Sequence, residues 1–357
     1  MVLRKIFVFL TVIFLTSVFT VPSFAEPSVS AKAAVVICAD SKEIIYSKNS
    51  DMRLPMASTT KIMTSLLALE NGADERMITV ADEMVKVEGT SMGLRGGDSV
   101  SMMSLVKGML ICSGNDAANA TAYLISGGTE SFSKLMNERA KQIGMNNTNF
   151  VTPSGLDADG HYSTAYDMAL LGAEAIKNPA FLNICSSKNV KAYYGAPPYK
   201  RVLTNHNKLL SFSEYYIGIK TGFTKKSGRC LVSALKRDGK TLIAVTLSAP
   251  DDWNDHEKLY EYCVPLAKTI SLSCGKDLPK LSVVGGKESS VSAVFAENTD
   301  YTFLEKPLSY TYKIYIKQFE YAPVYKGDAV GRVDFYADGK LFKSVDLVAE
   351  KDVLLKE

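Results

Sequence analysis

Strand-period segments flank a stretch that reads as helical, and this arrangement constrains the fold more than any other feature of the chain. Ala33–Cys38 and Glu43–Tyr46 are apolar, β-rich runs around an Asp40-Ser41 turn, which predicts an opening hairpin. From Lys61 to about Ile176 the period changes. Ile62, Leu66 and Leu69 recur at helical spacing, as do Leu105, Met109 and Cys112, and Ala117–Ile125 and Phe132–Ile143 continue the pattern. Asn146-Asn147 and Pro153-Ser154-Gly155 punctuate it as loops. Strand character returns at Tyr216–Lys220. Cys230–Leu235 and Thr241–Leu247 then flank Asp238-Gly239, a strong short hairpin signal. A helical middle between strand-rich ends predicts an α/β domain whose terminal strands meet in one antiparallel sheet, with helices packed on it.

After about Gly275 the texture is all-β. Tyr310, Tyr312, Ile314 and Ile316 alternate with Thr311, Lys313, Tyr315 and Lys317, a half-buried strand, and Phe335–Ala337 and Lys340–Phe342 flank another Asp-Gly turn at Asp338-Gly339. The other end of the chain reads as a leader: Arg4-Lys5, an apolar run from Ile6 to Val21, and the small-x-small site Ser23-Phe24-Ala25. The run is shorter than the ~20 residues of a spanning helix, so export with cleavage after Ala25 is expected. An uncleaved membrane anchor is the alternative. The expected layout is a signal peptide at 1–25, a larger domain at 26–275 and a small all-β domain at 276–357.

The formal charge is +3, with 41 basic and 38 acidic residues; losing Arg4 and Lys5 leaves 39 against 38, a net of +1. That is no basic footprint, and nucleic acid is not an expected partner. Cys38, Cys112, Cys185, Cys230, Cys263 and Cys274 form an even set in an exported chain, which invites disulfides. Three of them (Cys38, Cys112 and Cys230) sit in apolar runs, where free cysteine acts as a small hydrophobe, and pairing stays open. There is no Cys-x-x-Cys, and nothing implies a metal or an organic cofactor.

Three short motifs stand in order: Ser58-Thr59-Thr60-Lys61, Ser113-Gly114-Asn115 and Lys220-Thr221-Gly222. Together they offer a nucleophile, a base and an anion clamp, enough for acyl transfer without histidine. None is specific alone. Ser-x-x-Lys also occurs at Ser104/Lys107, Ser131/Lys134, Ser233/Lys236 and Ser273/Lys276, and Ser-x-Asn at Ser47/Asn49 and Ser187/Asn189; Lys-Thr-Gly occurs once. Ser58, ahead of a helical stretch, also reads as a plain N-cap. Ser113-Gly114-Asn115 also reads as a helix-connecting turn. Lys220-Thr221-Gly222 is expected to end a strand, where the glycine opens the backbone to close approach and an exposed edge pairs with extended substrate.

The order and surroundings of the three elements resemble the penicillin-binding protein and serine β-lactamase superfamily, and within it the low-molecular-mass D-alanyl-D-alanine carboxypeptidases. Leu54-Pro55-Met56-Ala57-Ser58-Thr59-Thr60-Lys61-Ile62-Met63-Thr64, Ser113–Ala118, His161–Ala165 and Gly218–Thr224 carry the likeness, which spans roughly Ala31 to Leu272. The resemblance implies a β-lactamase-like catalytic domain, an antiparallel sheet flanked by helices, followed by the all-β domain. It implies Ser58 as acyl-ester nucleophile, Lys61 as base with its pKa depressed by burial and by Lys220, and Ser113 as proton relay. Asn115, Lys220, Thr221 and Gly222 would bind substrate, and the backbone N–H groups of Ser58 and Phe223 would form the oxyanion hole. The implied partners are peptidoglycan stem peptide and, as covalent inhibitors, β-lactams.

Glu174-Ala175-Ile176-Lys177-Asn178 matches the Glu-x-x-x-Asn string of class A β-lactamases, but lies in a helical run and reads as coincidence. His161, His206 and His256 lie near no Gly-x-Ser-x-Gly elbow, against a Ser-His-Asp hydrolase. Carboxypeptidase and endopeptidase action stay unseparated. The non-enzyme alternative, an inactive penicillin-binding or wall-binding module, is opposed by three intact motifs, since a pure binder needs no proton relay. The Asp346–Glu357 tail is too short for an interfacial helix, leaving either no anchor or docking to a membrane surface or cell wall through the all-β domain.

Overall fold

The computed structural model describes residues 26–274, 278–305 and 309–356. The expected leader at 1–25 and the expected domain boundary at 275/276 lie outside the described residues. The chain opens with β1 (Ala33–Cys38) and β2 (Ile44–Lys48), then a 3₁₀ turn at Ala57–Thr60 running into α1 (Lys61–Glu70). Next come β3 (Met77–Thr79), α2 (Asp82–Val85), β4 (Ser99–Ser101), α3 (Met102–Ile111), α4 (Asn115–Ser126), α5 (Thr129–Ile143), α6 (Ala165–Ala175) and α7 (Pro179–Cys185). The hairpin β5 (Asn189–Gly195) and β6 (Pro198–Thr204) and the short α8 (Leu209–Phe212) lead to β7 (Tyr216–Thr224), β8 (Gly228–Arg237), β9 (Lys240–Leu247) and α9 (Asp252–Leu266).

The terminal strands do meet. The main sheet has the order β2-β1-β9-β8-β7, and β1 pairs antiparallel with β9 from Ala33↔Leu247 to Cys38↔Leu242. Every residue of β1 is buried, because the sheet is covered on both faces. Period-2 geometry divides them: Ala33, Val35 and Ile37 join the large core under α1, α3, α4 and α6, whereas Ala34, Val36 and Cys38 join the core beneath α9. Burying each Val or Ile contributes about 1.5–3 kcal/mol, so this strand fixes which helices lie on which face.

Two expectations are corrected. Lys220-Thr221-Gly222 lies within β7, which continues to Thr224 because Phe223 and Thr224 keep pairing with Arg229 and Gly228. The stretch from Lys61 to Ile176 is not wholly helical either: it contains β3 and β4, which join β5 and β6 in a second four-stranded sheet ordered β3-β4-β5-β6. The six thiols are free, five of them buried and Cys112 half-buried.

Beyond α9 come β10 (Lys268–Ser271), β11 (Lys280–Val284), β12 (Ser290–Phe295), β13 (Asp300–Phe303), β14 (Thr311–Ile316), β15 (Phe319–Tyr321), β16 (Ala329–Ala337) and β17 (Lys340–Ala349). Six of them form a sheet ordered β14-β16-β17-β12-β11-β15 over its own core, which includes Leu281, Val333, Phe335 and Leu347. This is the expected α/β domain followed by an all-β domain. The two are joined by hydrogen bonds, with Thr302 N donating to Asp40 Oδ2 at 2.8 Å and Leu304 N to Glu43 Oε2 at 2.8 Å. Among the described residues no helix is long and apolar enough to cross a membrane.

Candidate active site

Ser58 sits in the 3₁₀ turn, one residue after Ala57, whose φ of 49° lies in the left-handed region. A non-glycine residue there costs of the order of 1–3 kcal/mol and persists only where its surroundings impose it. Two glycines do so. A Cβ on Gly155 would lie 1.9 Å from Ala57 O, and one on Gly222 would lie 3.0 Å from Ser58 N and 3.1 Å from Met56 O. The turn is thus held between the Pro153–Gly155 loop and β7, at a spacing only backbone without side chains permits. Ser58 makes no capping bond at this helix start, so it is not a plain N-cap.

Lys61, the first residue of α1, is fully buried and its Nζ lies 2.8 Å from Ser58 Oγ, 2.7 Å from Asn115 Oδ1 and 2.6 Å from Ser154 O. Burial drives its pKa well below the ordinary lysine value and the Lys220 ammonium lowers it further, while Asp116 opposes this more weakly. A neutral amine has two N–H bonds and one lone pair. Two of its three neighbours are carbonyl oxygens that can only accept, so the lone pair falls toward the Ser58 hydroxyl. In its neutral form the Lys61 amine could therefore accept a proton from one hydroxyl, that of Ser58.

Asn115 begins α4 and is fixed by Nδ2 donating to Glu88 O at 2.7 Å, while its N–H donates to Thr90 O at 2.7 Å. Next to it Asp116 accepts from the backbone N–H groups of Met92, Gly93 and Leu94 at 2.9–3.0 Å and from Ser91 Oγ. The Glu88–Leu94 loop is thereby tied against the Ser113 turn. Ser113, at φ 63°, is only 6% exposed and faces the cleft.

The cleft holds about 300 Å³ and is lined by Ser58, Ser113, Thr221, Gly222 and Phe223, with Thr90, His206, Lys208, Arg229, Asp252 and Trp253 around them. All three motifs converge here: Lys61 and Asn115 stand behind Ser58, and Lys220, within β7, is buried. Lys220 is 1% exposed, donates to Thr221 O at 2.9 Å, and burial lowers its pKa to about 8. The cations lining the cleft are the exposed Lys208 and the half-buried Arg229. Arg229 donates through Nε and Nη2 to the buried Asp252 Oδ1 at 2.8 and 2.7 Å and lies over the Trp253 ring. The β7–β8 register would have pointed to Arg229, opposite Phe223; His206 and Trp253 had no comparable signal.

The remaining candidates resolve separately. His161 accepts from Val151 N through Nδ1 at 2.9 Å and its Nε2 meets Thr60 Oγ1 at 3.0 Å, linking the loop that supplies Ser154 O to the turn that carries Ser58. His256 is fully buried between Ser233 and Thr246. Glu174 is engaged by Arg139 at 2.8 Å and Lys177 at 2.9 Å and does not line the cleft. Among the described residues no cluster of His, Cys, Asp and Glu could hold a metal ion.

Residues 20–251 match the D-alanyl-D-alanine carboxypeptidase family, and residues 269–354 match the C-terminal domain of penicillin-binding protein 5. The chain is 32% identical over 342 residues to D-alanyl-D-alanine carboxypeptidase DacF of Bacillus subtilis, covering 90% of this chain and 86% of that one. It is 34% identical over 346 residues to D-alanyl-D-alanine carboxypeptidase DacC of Escherichia coli, covering 91% and 85%. Penicillin-binding protein 5 of Haemophilus influenzae superposes with a TM-score of 0.65 at 30% identity, covering 93% of this chain and 99% of that structure.

Proposed function

The chain belongs to the D-alanyl-D-alanine carboxypeptidase family of serine hydrolases, and we propose that Ser58 is the nucleophile with which it releases the terminal D-alanine of a peptidoglycan stem peptide. The observation that carries this is the Lys61 amine, buried, 2.8 Å from Ser58 Oγ and otherwise surrounded by acceptors. Lys61 takes the hydroxyl proton as Ser58 Oγ attacks the carbonyl carbon between the two D-alanines. The oxyanion that forms is held by the backbone N–H groups of Ser58 and Phe223. The carbon–nitrogen bond then breaks, the departing amine takes a proton relayed through Ser113, and water later cleaves the Ser58 ester. β7 is the sheet's free edge, suited to pairing with an extended stem, while Asn115, Thr221 and Gly222 position it. Lys220, buried within that strand, supplies positive potential for the terminal carboxylate.

A penicillin traps the same ester, because the amine expelled when its ring C–N bond breaks stays tethered to the acyl group, where it does not diffuse away and obstructs the deacylating water. Labelled penicillin is expected to give a long-lived adduct on Ser58, alongside D-alanine release from pentapeptide. Ser58→Ala is expected to lose both, and D-alanine release by that variant would overturn the assignment.

Family members act on peptidoglycan, which is extracytoplasmic. We further propose that this chain reaches it through the residue 1–25 leader, cut after Ala25, and that its all-β domain, with Phe319, Tyr321 and Leu355 exposed, contacts the membrane surface or wall. Cell fractionation with N-terminal sequencing is expected to find a chain starting at Glu26 in the envelope. A cytoplasmic chain retaining Arg4 and Lys5 would overturn export, and a mature chain free in the medium would overturn attachment.

A further inference from the structure

Between Glu174 and Glu214 the chain has no acidic residue, yet it carries Lys177, Lys188, Lys191, Lys200, Arg201 and Lys208, in a protein whose total charge is only +3. The centre of this segment is the β5–β6 hairpin, outside every motif of the catalytic reading. Its buried face, including Ala192, Tyr194 and Leu203, packs toward α3. On the other face, cross-strand pairs Asn189↔Thr204, Lys191↔Val202 and Tyr193↔Lys200 stand together, all exposed. Tyr193 is 50% exposed and Val202 62%. No ion pair among the described residues engages Lys188, Lys191 or Lys200. On the inner face, opposite Ala192, the Arg201 guanidinium lies over the Tyr194 and Tyr199 rings, 4.2 and 4.4 Å from their centroids.

The strip runs into the active site. β6 ends at Thr204, and His206 and Lys208, just beyond it, line the cleft with Ser58. Seven strand residues extend ~23 Å, and an extended five-residue stem spans ~17 Å. Whatever polymer bears a stem seated at Ser58 is therefore within reach of the hairpin. We propose that the exposed β5–β6 face is a second binding site for the glycan–peptide strand that carries the substrate stem. Sugar rings would stack on Tyr193 and lie against Val202, and free carboxylates of neighbouring stems would meet Lys191 and Lys200. A second contact on the same polymer raises the effective concentration of stems at the cleft without altering the chemistry there.

This rests on the carboxypeptidase reading of the cleft, so the test has one readout that needs catalysis and one that does not. Wild-type mature protein and the variants Lys191→Glu/Lys200→Glu and Tyr193→Ala would be co-sedimented with purified sacculi stripped of phosphate-bearing polymers, and assayed for D-alanine release from sacculi and from soluble pentapeptide. The expected result is at least about tenfold weaker sedimentation and slower release from sacculi for the variants, with soluble pentapeptide turnover within about twofold of wild type. Added salt should weaken wild-type sedimentation toward that of the charge-reversed variant. Unchanged sedimentation, equal losses on soluble and polymeric substrates, or sedimentation only with unstripped walls would each overturn the proposal. The last would assign the strip to a phosphate polymer. Failure of the cleft assignment would show instead as wild type inert toward pentapeptide while sedimentation still reports on the strip.

Discussion

Replacing Lys61 by methionine is expected to slow acylation by penicillin and by pentapeptide at least about 10³-fold, and Lys61→Arg is expected to do the same. The second variant carries the weight. Arginine keeps a positive charge near Ser58 but cannot become neutral in a protein, so it separates a proton acceptor from a mere electrostatic stabiliser. If Lys61→Arg acylated within tenfold of wild type, the lysine would not be the base. Loss of the fold is a separate matter: methionine leaves Asn115 Oδ1 and Ser154 O without this donor, at about 1–3 kcal/mol for each buried acceptor. Thermal unfolding of each variant fixes a temperature at which the comparison is made on folded protein.

The pH profile tests the same point. A base works when unprotonated, so acylation should rise with pH through the Lys61 pKa and then level. Burial, reinforced by the Lys220 ammonium, places that rise below the ordinary lysine range. Lys220→Gln removes the neighbouring cation and should move the rising limb to higher pH. Movement to lower pH, or none, would show that Lys220 does not govern Lys61.

What the sequence disclosed follows from what each feature needs. Ser58 and Lys61 are one helical turn apart, and Ser113 and Asn115 flank a glycine on a tight turn, so their proximity is written into local spacing. The meeting of β1 with β9 was legible because both are apolar runs that must be covered on two faces. The β5–β6 hairpin was not, because β6 breaks the polar–apolar alternation that reveals a half-buried strand: Val202 is exposed while Arg201 is half-buried. Strands β3 and β4 are three residues each, too short to interrupt the helical period around them. The cleft walls from His206, Arg229 and Trp253 depend on long-range packing that no local spacing records. The Glu174 string fails for the complementary reason: it has the right spelling, but α6 turns the carboxylate toward Arg139 and Lys177.

Lowering the pH from 7 to 4 is expected to cost the fold several kcal/mol, most of it through two histidines. His256 is held neutral between β8 and β9: its Nδ1 lies 2.7 Å from Ser233 Oγ and its Nε2 3.0 Å from Thr246 Oγ1, and burial pushes its pKa down to about 3. Burial likewise takes His161 to about 4, with Asp157 opposing weakly. In the unfolded chain both titrate near 6.5. Below that value the unfolded state binds more protons, so stability is fully present above about pH 6.5 and declines as pH falls toward 4 and 3. Each histidine contributes a slope of about 1.4 kcal/mol per pH unit in that window, and each full displacement amounts to about 3–5 kcal/mol. Asp167 and Asp252 have pKa values raised by burial and act in the opposite sense at lower pH, so the decline should ease at the acidic end. Urea unfolding at pH 7.5, 6.5, 5.5 and 4.5 measures the slope, and His256→Gln should remove about half of it. A flat profile, or an unaltered slope in that variant, would mean the imidazole finds a proton-accepting partner in the fold. Activity should fail no later than the fold does, since His161 ties the Val151 loop, and with it Ser154 O, to Thr60 beside Lys61; protonating Nδ1 breaks the Val151 bond and loosens the carbonyl that helps aim the base.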